Sequence, residues 1–225
     1  MKEFILASRS PRRKELLRNL IESFIIISPD VVETRIKGET PDNYVRRISE
    51  LKARAGRDLV SSKSGTDWVV IAADTIVVDG DMILGKPVDR SQAAQILTDL
   101  RGRTHTVYSG FTVYDSSQAD IQTRVVSSKV LMREYTEEEI NTYVASGDPM
   151  DKAGAYAIQN SQFDPAPDFY ECYANVMGLP LCHLAVILNE MGCPGQSDIA
   201  ERCQESIKYQ CPIFSSILNG RHGKE

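Results

Sequence analysis

An α/β or α+β fold built on a mixed β-sheet is the architecture this sequence predicts, and three observations carry it. Short apolar runs alternate with helical patterns from residue 4 to about residue 100, as they do where neighbouring strands run parallel. An Asp79-Gly80 turn and two long alternating runs further on add an antiparallel section. Polar residues able to do chemistry gather where strands end, which places a ligand cleft at the strand ends, with helices flanking the sheet.

The elements follow in order. Phe4 to Ala7 read as a short buried strand, and Ser10 with Pro11 opens a helix whose apolar positions are Leu16, Leu17 and Leu20. Phe24 to Ile27 form a second strand. Thr40-Pro41 starts a long helix to about Leu59, with Tyr44, Val45, Ile48, Leu51 and Ala55 on its buried face. Trp68 to Ala73 is the most apolar run and suits a central strand covered on both faces. Asp74-Thr75 is read as an interruption of that strand, which resumes at Ile76-Val77-Val78. After the Asp79-Gly80 turn, Met82-Ile83-Leu84 returns and brings Lys86 towards Asp74.

Residues 90–100 form an amphipathic helix. Two strands are predicted at about 104–114 and 122–134, the first alternating through Val107, Ser109, Phe111 and Val113. Thr136 with Glu139 is a capping box for a helix to about Ser146. Residues 160–172 read as a loop, Tyr173 to Met177 as a strand, Leu179 to Met191 as a helix, and Ser197 to about Tyr209 as another. The last residues are expected to be frayed.

Composition narrows the function. The chain has 225 residues, a net charge of −5 and 25% charged side chains, which suits one globular domain and argues against a general nucleic-acid binder. With no apolar run of membrane-spanning length and no signal-peptide pattern, a cytosolic protein is expected. The five cysteines lie in the last quarter without a C-x-x-C pair, so reduced thiols are expected rather than a zinc ribbon or disulfide framework. His105, His183 and His222 show no ligand spacing. Phosphate-loop, dinucleotide-binding and nucleophile-elbow signatures are all absent.

The first turn of the first helix carries its charge against the helix dipole: Arg12, Arg13 and Lys14, with Arg9 just before, sit where acidic side chains are preferred. An anion on the free N–H groups, with Ser8 and Ser10 as hydroxyl donors and an arginine as clamp, would offset that repulsion. The alternative is a solvated helix start. Glu33, Asp74 and Asp151 also fall at strand ends or in loops. Three carboxylates beside a basic cradle suit Mg²⁺ or Mn²⁺ bridging carboxylate and polyphosphate. Asp74, in so apolar a run, must be paired, metal-bound or turned into a solvated cleft.

The sequence resembles the Maf family of nucleoside triphosphate pyrophosphatases from residue 4 to about 190. The resemblance rests on Leu6-Ala7-Ser8-Arg9-Ser10-Pro11-Arg12-Arg13-Lys14-Glu15-Leu16-Leu17, Glu33, Lys52-Ala53-Arg54-Ala55, Ala73-Asp74-Thr75, Gly85-Lys86-Pro87, Asp151-Lys152-Ala153-Gly154-Ala155-Tyr156 with Ile158-Gln159, and Val176-Met177-Gly178-Leu179-Pro180. It implies a Maf/ITPase-like domain over residues 1–190, followed by an extension, helical then frayed, over 191–225. It implies an elongated mixed sheet and hydrolysis of the α–β phosphoanhydride with a divalent cation and Asp74 as catalytic acidic residue. On the chemistry of the residues, Glu33, Asp74 and Asp151 would hold Mg²⁺ or Mn²⁺, Asp74 or Glu33 would orient or deprotonate the attacking water, and Lys86, with Arg13, would stabilise charge on the leaving pyrophosphate. Ser8, Ser10, Arg13, Lys52, Asp151 and Lys152 would bind substrate. Arg12, Thr75 and Gln159 match the base-selecting residues of the branch acting on dTTP and UTP. A homodimer is implied as well, without nucleic-acid or membrane partners. A nucleotide-binding regulator of septum formation without physiological catalysis is the alternative, and modified pyrimidine nucleotides are further candidate substrates. The chain departs from the family pattern at Asn160, where glycine is common, and in the loop that follows.

Overall fold

The computed structural model describes residues 2–61 and 67–220. Strands β1 (Glu3–Ala7), β2 (Ile25–Ile27), β3 (Trp68–Asp79), β4 (Met82–Leu84), β5 (Thr104–Asp115) and β6 (Asp120–Leu131) form one mixed sheet, in the order β2-β1-β3-β5-β6 with β4 also on β3. β1 runs parallel to β2 and β3; β5 lies antiparallel to both β3 and β6. The helices are α1 (Pro11–Arg18), α2 (Pro41–Val60), α3 (Arg90–Leu100), α4 (Glu137–Ala145), α5 (Tyr173–Met177), α6 (Leu181–Glu190), α7 (Ile199–Ile207) and α8 (Phe214–Leu218).

The two-residue period of β3 divides the core. Val69, Ile71, Ala73 and Val77 face the larger cluster, with Leu16 and Leu17 of α1, Leu97 of α3, Ile140 of α4 and Leu184 of α6. Val70 and Ala72 face Ala53 and Val60 of α2, and Ile76 and Val78 face Tyr44, Val45 and Ile48 of the same helix. Asp74 therefore points to the α2 side and Thr75 to the α1 side.

The most consequential feature is a gap along one edge of β3. β1 pairs with it only as far as Leu6↔Ile71, and β4 begins at Val77↔Leu84. Residues 72–76 thus have a strand neighbour on the β5 side alone, where the ladder is unbroken from Val69 to Val78. The expected interruption at Asp74-Thr75 is corrected accordingly: the strand is continuous, because Lys52 partners the Asp74 carboxylate and Ser109 and Arg13 partner the Thr75 hydroxyl. Polarity there marks an open edge, not a break.

Other boundaries shift for local reasons. Tyr173–Met177 is a short helix, not a strand; it ends at Gly178, whose left-handed backbone (φ 111°) terminates it before Leu179-Pro180, so α6 starts at Leu181. β6 leaves the sheet at Leu131, and α7 is a residue or two shorter at each end than predicted. Phe214–Leu218 is helical where fraying was expected, anchored by buried Ile217. The final tail, including His222, lies outside the described residues. The segment beyond residue 191 packs on the body: Gln196 N–H donates to the Leu20 carbonyl, and Cys193, Ile199 and Cys203 are buried in the main core.

All five cysteines are free. Burial pushes the Cys182 and Cys203 thiols up to about 12, so they are protonated and unreactive at neutral pH. His105, expected at a polar strand start, is buried and bonds the Tyr156 hydroxyl through Nε2 at 2.7 Å.

Candidate active site

A cleft of about 440 Å³ opens over the gap in β3. It brings together every site residue expected from the sequence: Ser8, Ser10, Arg12, Arg13, Glu33, Lys52, Asp74, Thr75, Lys86, Asp151, Lys152 and Gln159 all line it. Arg9, Arg12, Arg13, Lys52, Lys86 and Lys152 outnumber the four carboxylates Asp30, Glu33, Asp74 and Asp151. The cleft is locally positive in a chain of net charge −5, which favours an anionic ligand.

The acidic centre is built by α2. Its fourth turn places Lys52 so that Nζ reaches Asp74 Oδ1 at 2.7 Å and Glu33 Oε1 at 2.8 Å. Asp74 is buried and Glu33 half exposed. The loop carrying Glu33 is tied to α2 as well: the Tyr44 hydroxyl donates to the Glu33 carbonyl at 2.9 Å, and Arg47 donates to the Thr34 carbonyl and bidentately to Glu39. Burial, with the neighbouring charges of Asp74 and Glu33, pushes the Tyr44 hydroxyl up to about 12, so it serves as a donor. The close approach of α2 depends on Gly110, the β5 partner of Asp74, where a Cβ would lie 2.3 Å from the Val45 carbonyl oxygen.

The basic turn divides its arginines differently from the phosphate clamp expected of Arg13. Ser10 caps α1 by accepting the Arg13 N–H, and Ser8 accepts from Ser10 N–H. The Arg13 side chain donates to the carbonyls of Gly178 (2.9 Å) and Ala73 (2.8 Å), to Thr75 Oγ1 (3.0 Å) and to Ser8 Oγ (3.4 Å). Its bond to Ala73 satisfies a carbonyl on the gapped edge of β3. Of the charges that looked misplaced at a helix start, that of Arg13 is thus solvated by two backbone carbonyls and two hydroxyls. Burial lowers its pKa, and Asp74 partly offsets this. Among the described residues Arg12 makes only a long contact with Asp151, at 3.8 Å, and keeps donors to offer.

On the opposite wall Lys152 is buried and fully engaged, donating to the Asp148 carbonyl and to the carboxylates of Asp148 and Asp151. Burial pushes the Asp148 and Asp151 carboxyls up, but hydrogen bonds, from Tyr143, Lys152 and Asn160 to Asp148 and from Lys152 to Asp151, outweigh it and hold both below the usual range. Asn160 closes the turn after Gln159: its amide donates to Asp148 and its oxygen accepts from the Gln162 and Phe163 N–H groups. Lys86 and Gln159 are exposed at the cleft and make no hydrogen bond or ion pair among the described residues.

The three carboxylates expected to hold a cation are not one cluster. Glu33 and Asp74 share Lys52, whereas Asp151 pairs with Lys152 and Arg12, and no group of three such side chains among the described residues could hold an ion by protein ligands alone. Sequence reasoning missed Ser109, Asn175 and Tyr44, which support the site from behind. Ser109 was visible as the one polar member of an otherwise apolar inward run, Val107, Phe111 and Val113.

Comparison with known proteins agrees with this assembly. Among similar curated proteins, the dTTP/UTP pyrophosphatase of Pelotomaculum thermopropionicum is 42% identical over 192 residues, covering 85% of this chain and 98% of its own. That of Geotalea uraniireducens is 43% identical over 188 residues, covering 84% and 94%, and that of Dictyoglomus thermophilum 41% over 196, covering 85% and 97%. The model of the Maf-like protein family matches residues 3–191, a span that contains every cleft residue described above, and the chain therefore belongs to that family.

Proposed function

We propose that this protein is a nucleotide pyrophosphatase that hydrolyses dTTP and UTP to the nucleoside monophosphate and pyrophosphate. The observation that carries the reading is a buried Asp74 and a half-exposed Glu33, held on one lysine, in a cleft also lined by six cations. The substrates are those named for relatives about 40% identical over most of the chain.

Hydrolysis requires water to attack the α-phosphorus while charge builds on the leaving pyrophosphate. In this reading Asp74 or Glu33 orients that water or takes its proton; the shared ion pair with Lys52, which holds the two carboxylates together, supports it. Lys86, the least committed of the cleft cations, meets the developing charge. Gln159 presents an amide donor and acceptor to the edge of uracil or thymine, alongside Arg12. Two carboxylate donors and the oxygens of a triphosphate suit a hard cation, so Glu33 and Asp74 are the residues that would hold Mg²⁺ or Mn²⁺; Asp151 would join through substrate. When bound, the cation supplies charge neutralisation on the phosphates. The same reading includes a cytoplasmic homodimer that acts on free nucleotides, consistent with the net negative charge outside the cleft.

The test is release of pyrophosphate from UTP and dTTP in the presence of Mg²⁺ or Mn²⁺, with Asp74→Asn as control. Asp74→Asn is expected to lower turnover at least about 10²-fold, with circular dichroism unchanged. No turnover by the unaltered protein would reject the enzyme and leave the regulator of septum formation; full turnover by Asp74→Asn would reject the role of Asp74.

A further inference from the structure

Behind the cleft wall lies a directed chain of hydrogen bonds whose polarity is fixed by proton counting. Ser109 Oγ lies 3.0 Å from the Asn175 carbonyl oxygen and 2.9 Å from Thr75 Oγ1. A serine has one hydroxyl proton and a carbonyl can only accept, so for both contacts to be hydrogen bonds that proton goes to Asn175. The proton between the two hydroxyls must then come from Thr75. Thr75 Oγ1 in turn accepts from Arg13 Nη2 at 3.0 Å. The order is Arg13 to Thr75 to Ser109 to Asn175, and each bond polarises the next.

Two consequences follow. The Thr75 proton is spent inside the protein, so Thr75 offers a nucleotide no donor and at most a lone pair. The chain also ties the Gly178 turn to β3. Arg13 Nε donates to the Gly178 carbonyl, the Thr75 hydroxyl lies 3.4 Å from the same oxygen, and a Cβ at Gly178 would sit 3.3 Å from both Arg13 Nε and Thr75 Oγ1. Asn175 anchors the far end, its amide donating to the Val107 carbonyl and to Ser128 Oγ. Ser109 is fully buried and does not line the cleft.

We infer that Ser109 is a positioning residue for nucleotide binding, which by accepting the Thr75 hydroxyl proton holds Arg13 and the Gly178 turn in place as one wall of the cleft. Without it the Thr75 hydroxyl turns to the Gly178 carbonyl and competes there with Arg13 Nε–H. The wall loosens, while Asp74 and Lys52, on the other face of β3, keep their contact. The inference rests on the pyrophosphatase reading for its kinetic effect but not for its structural one.

Ser109→Ala and Ser109→Thr are compared with the unaltered full-length protein, well below each melting temperature. Ser109→Ala is expected to raise KM for UTP about five- to tenfold, with kcat within about twofold, and to speed hydrogen exchange of the Gly178 and Leu179 amides; Ser109→Thr, which keeps the hydroxyl, restores both. A merely structural role would lower the active fraction, and hence apparent kcat, with KM unchanged. Unchanged KM and unchanged amide protection in Ser109→Ala overturn the inference, as does a Ser109→Thr protein as impaired as Ser109→Ala. If the unaltered protein releases no pyrophosphate, the functional reading fails, and amide protection alone decides the positioning role.

Discussion

Replacing Lys52 by methionine keeps the aliphatic stem and deletes the ammonium that Glu33 and Asp74 share. Each carboxylate oxygen lies within 2.8 Å of that nitrogen. They are therefore at most about 5.6 Å apart, where two unit charges repel by about 3 kcal/mol at an effective dielectric of about 20. Glu33 is half exposed, and solvent screening brings the figure towards about 2 kcal/mol. Loss of the ion pair at the buried Asp74 acts in the same direction. The expected result is a fall of at least about 2 kcal/mol in unfolding free energy, measured by urea denaturation at neutral pH and low salt. Mg²⁺ at millimolar concentration should return part of that loss in Lys52→Met, and return more than it adds to the unaltered protein, because the two carboxylates then lack their own cation. A Lys52→Met protein as stable as the parent and indifferent to Mg²⁺ would refute this account of the acidic centre.

Two further outcomes follow from the scaffold. Burial holds the His105 imidazole down at about 4, so it stays neutral in the folded chain while the unfolded chain takes up a proton near pH 6.5. Stability is therefore lost as pH falls through the unfolded value, and His105→Gln should flatten the drop between about pH 7.5 and about pH 5 by about 2 kcal/mol, read from denaturation midpoints at both pH values. Gly110→Ala places a methyl 2.3 Å from the Val45 carbonyl oxygen, against a helix backbone that cannot rotate away. About 3 kcal/mol of stability and most of the UTP turnover should go together, because separating α2 from β5 draws Lys52 off Asp74; a protein with parental melting temperature and turnover would contradict the close-approach role of Gly110.

Strand and helix periodicity determined most of the fold, because the apolar positions that specify β1, β3, β5 and α4 are local and regular; in α2 the expected inward Leu51 is exposed, and the small residues Ser49, Ala53 and Gly56 face the sheet instead. The caps at Ser10, Thr40 and Thr136 were legible for the same reason, since a cap is a contact between residues three apart. The set of cleft residues was also legible, as polar side chains at the ends of apolar runs and in motifs shared with a family.

What each of those residues does depended on long-range partners. Asp74 and Thr75 are adjacent in sequence yet face opposite sides of β3, one towards Lys52 and the other towards Arg13 and Ser109. Arg12 and Arg13 are neighbours of identical chemistry, but only Arg13 reaches the free carbonyl of Ala73 on the open edge of β3. That edge exists because β1 ends before β4 begins, a fact of register between strands some 70 residues apart that leaves no local mark in the chain. Sequence supplied the charged groups; the gap in the sheet decided which of them hold the wall and which are left to meet a ligand.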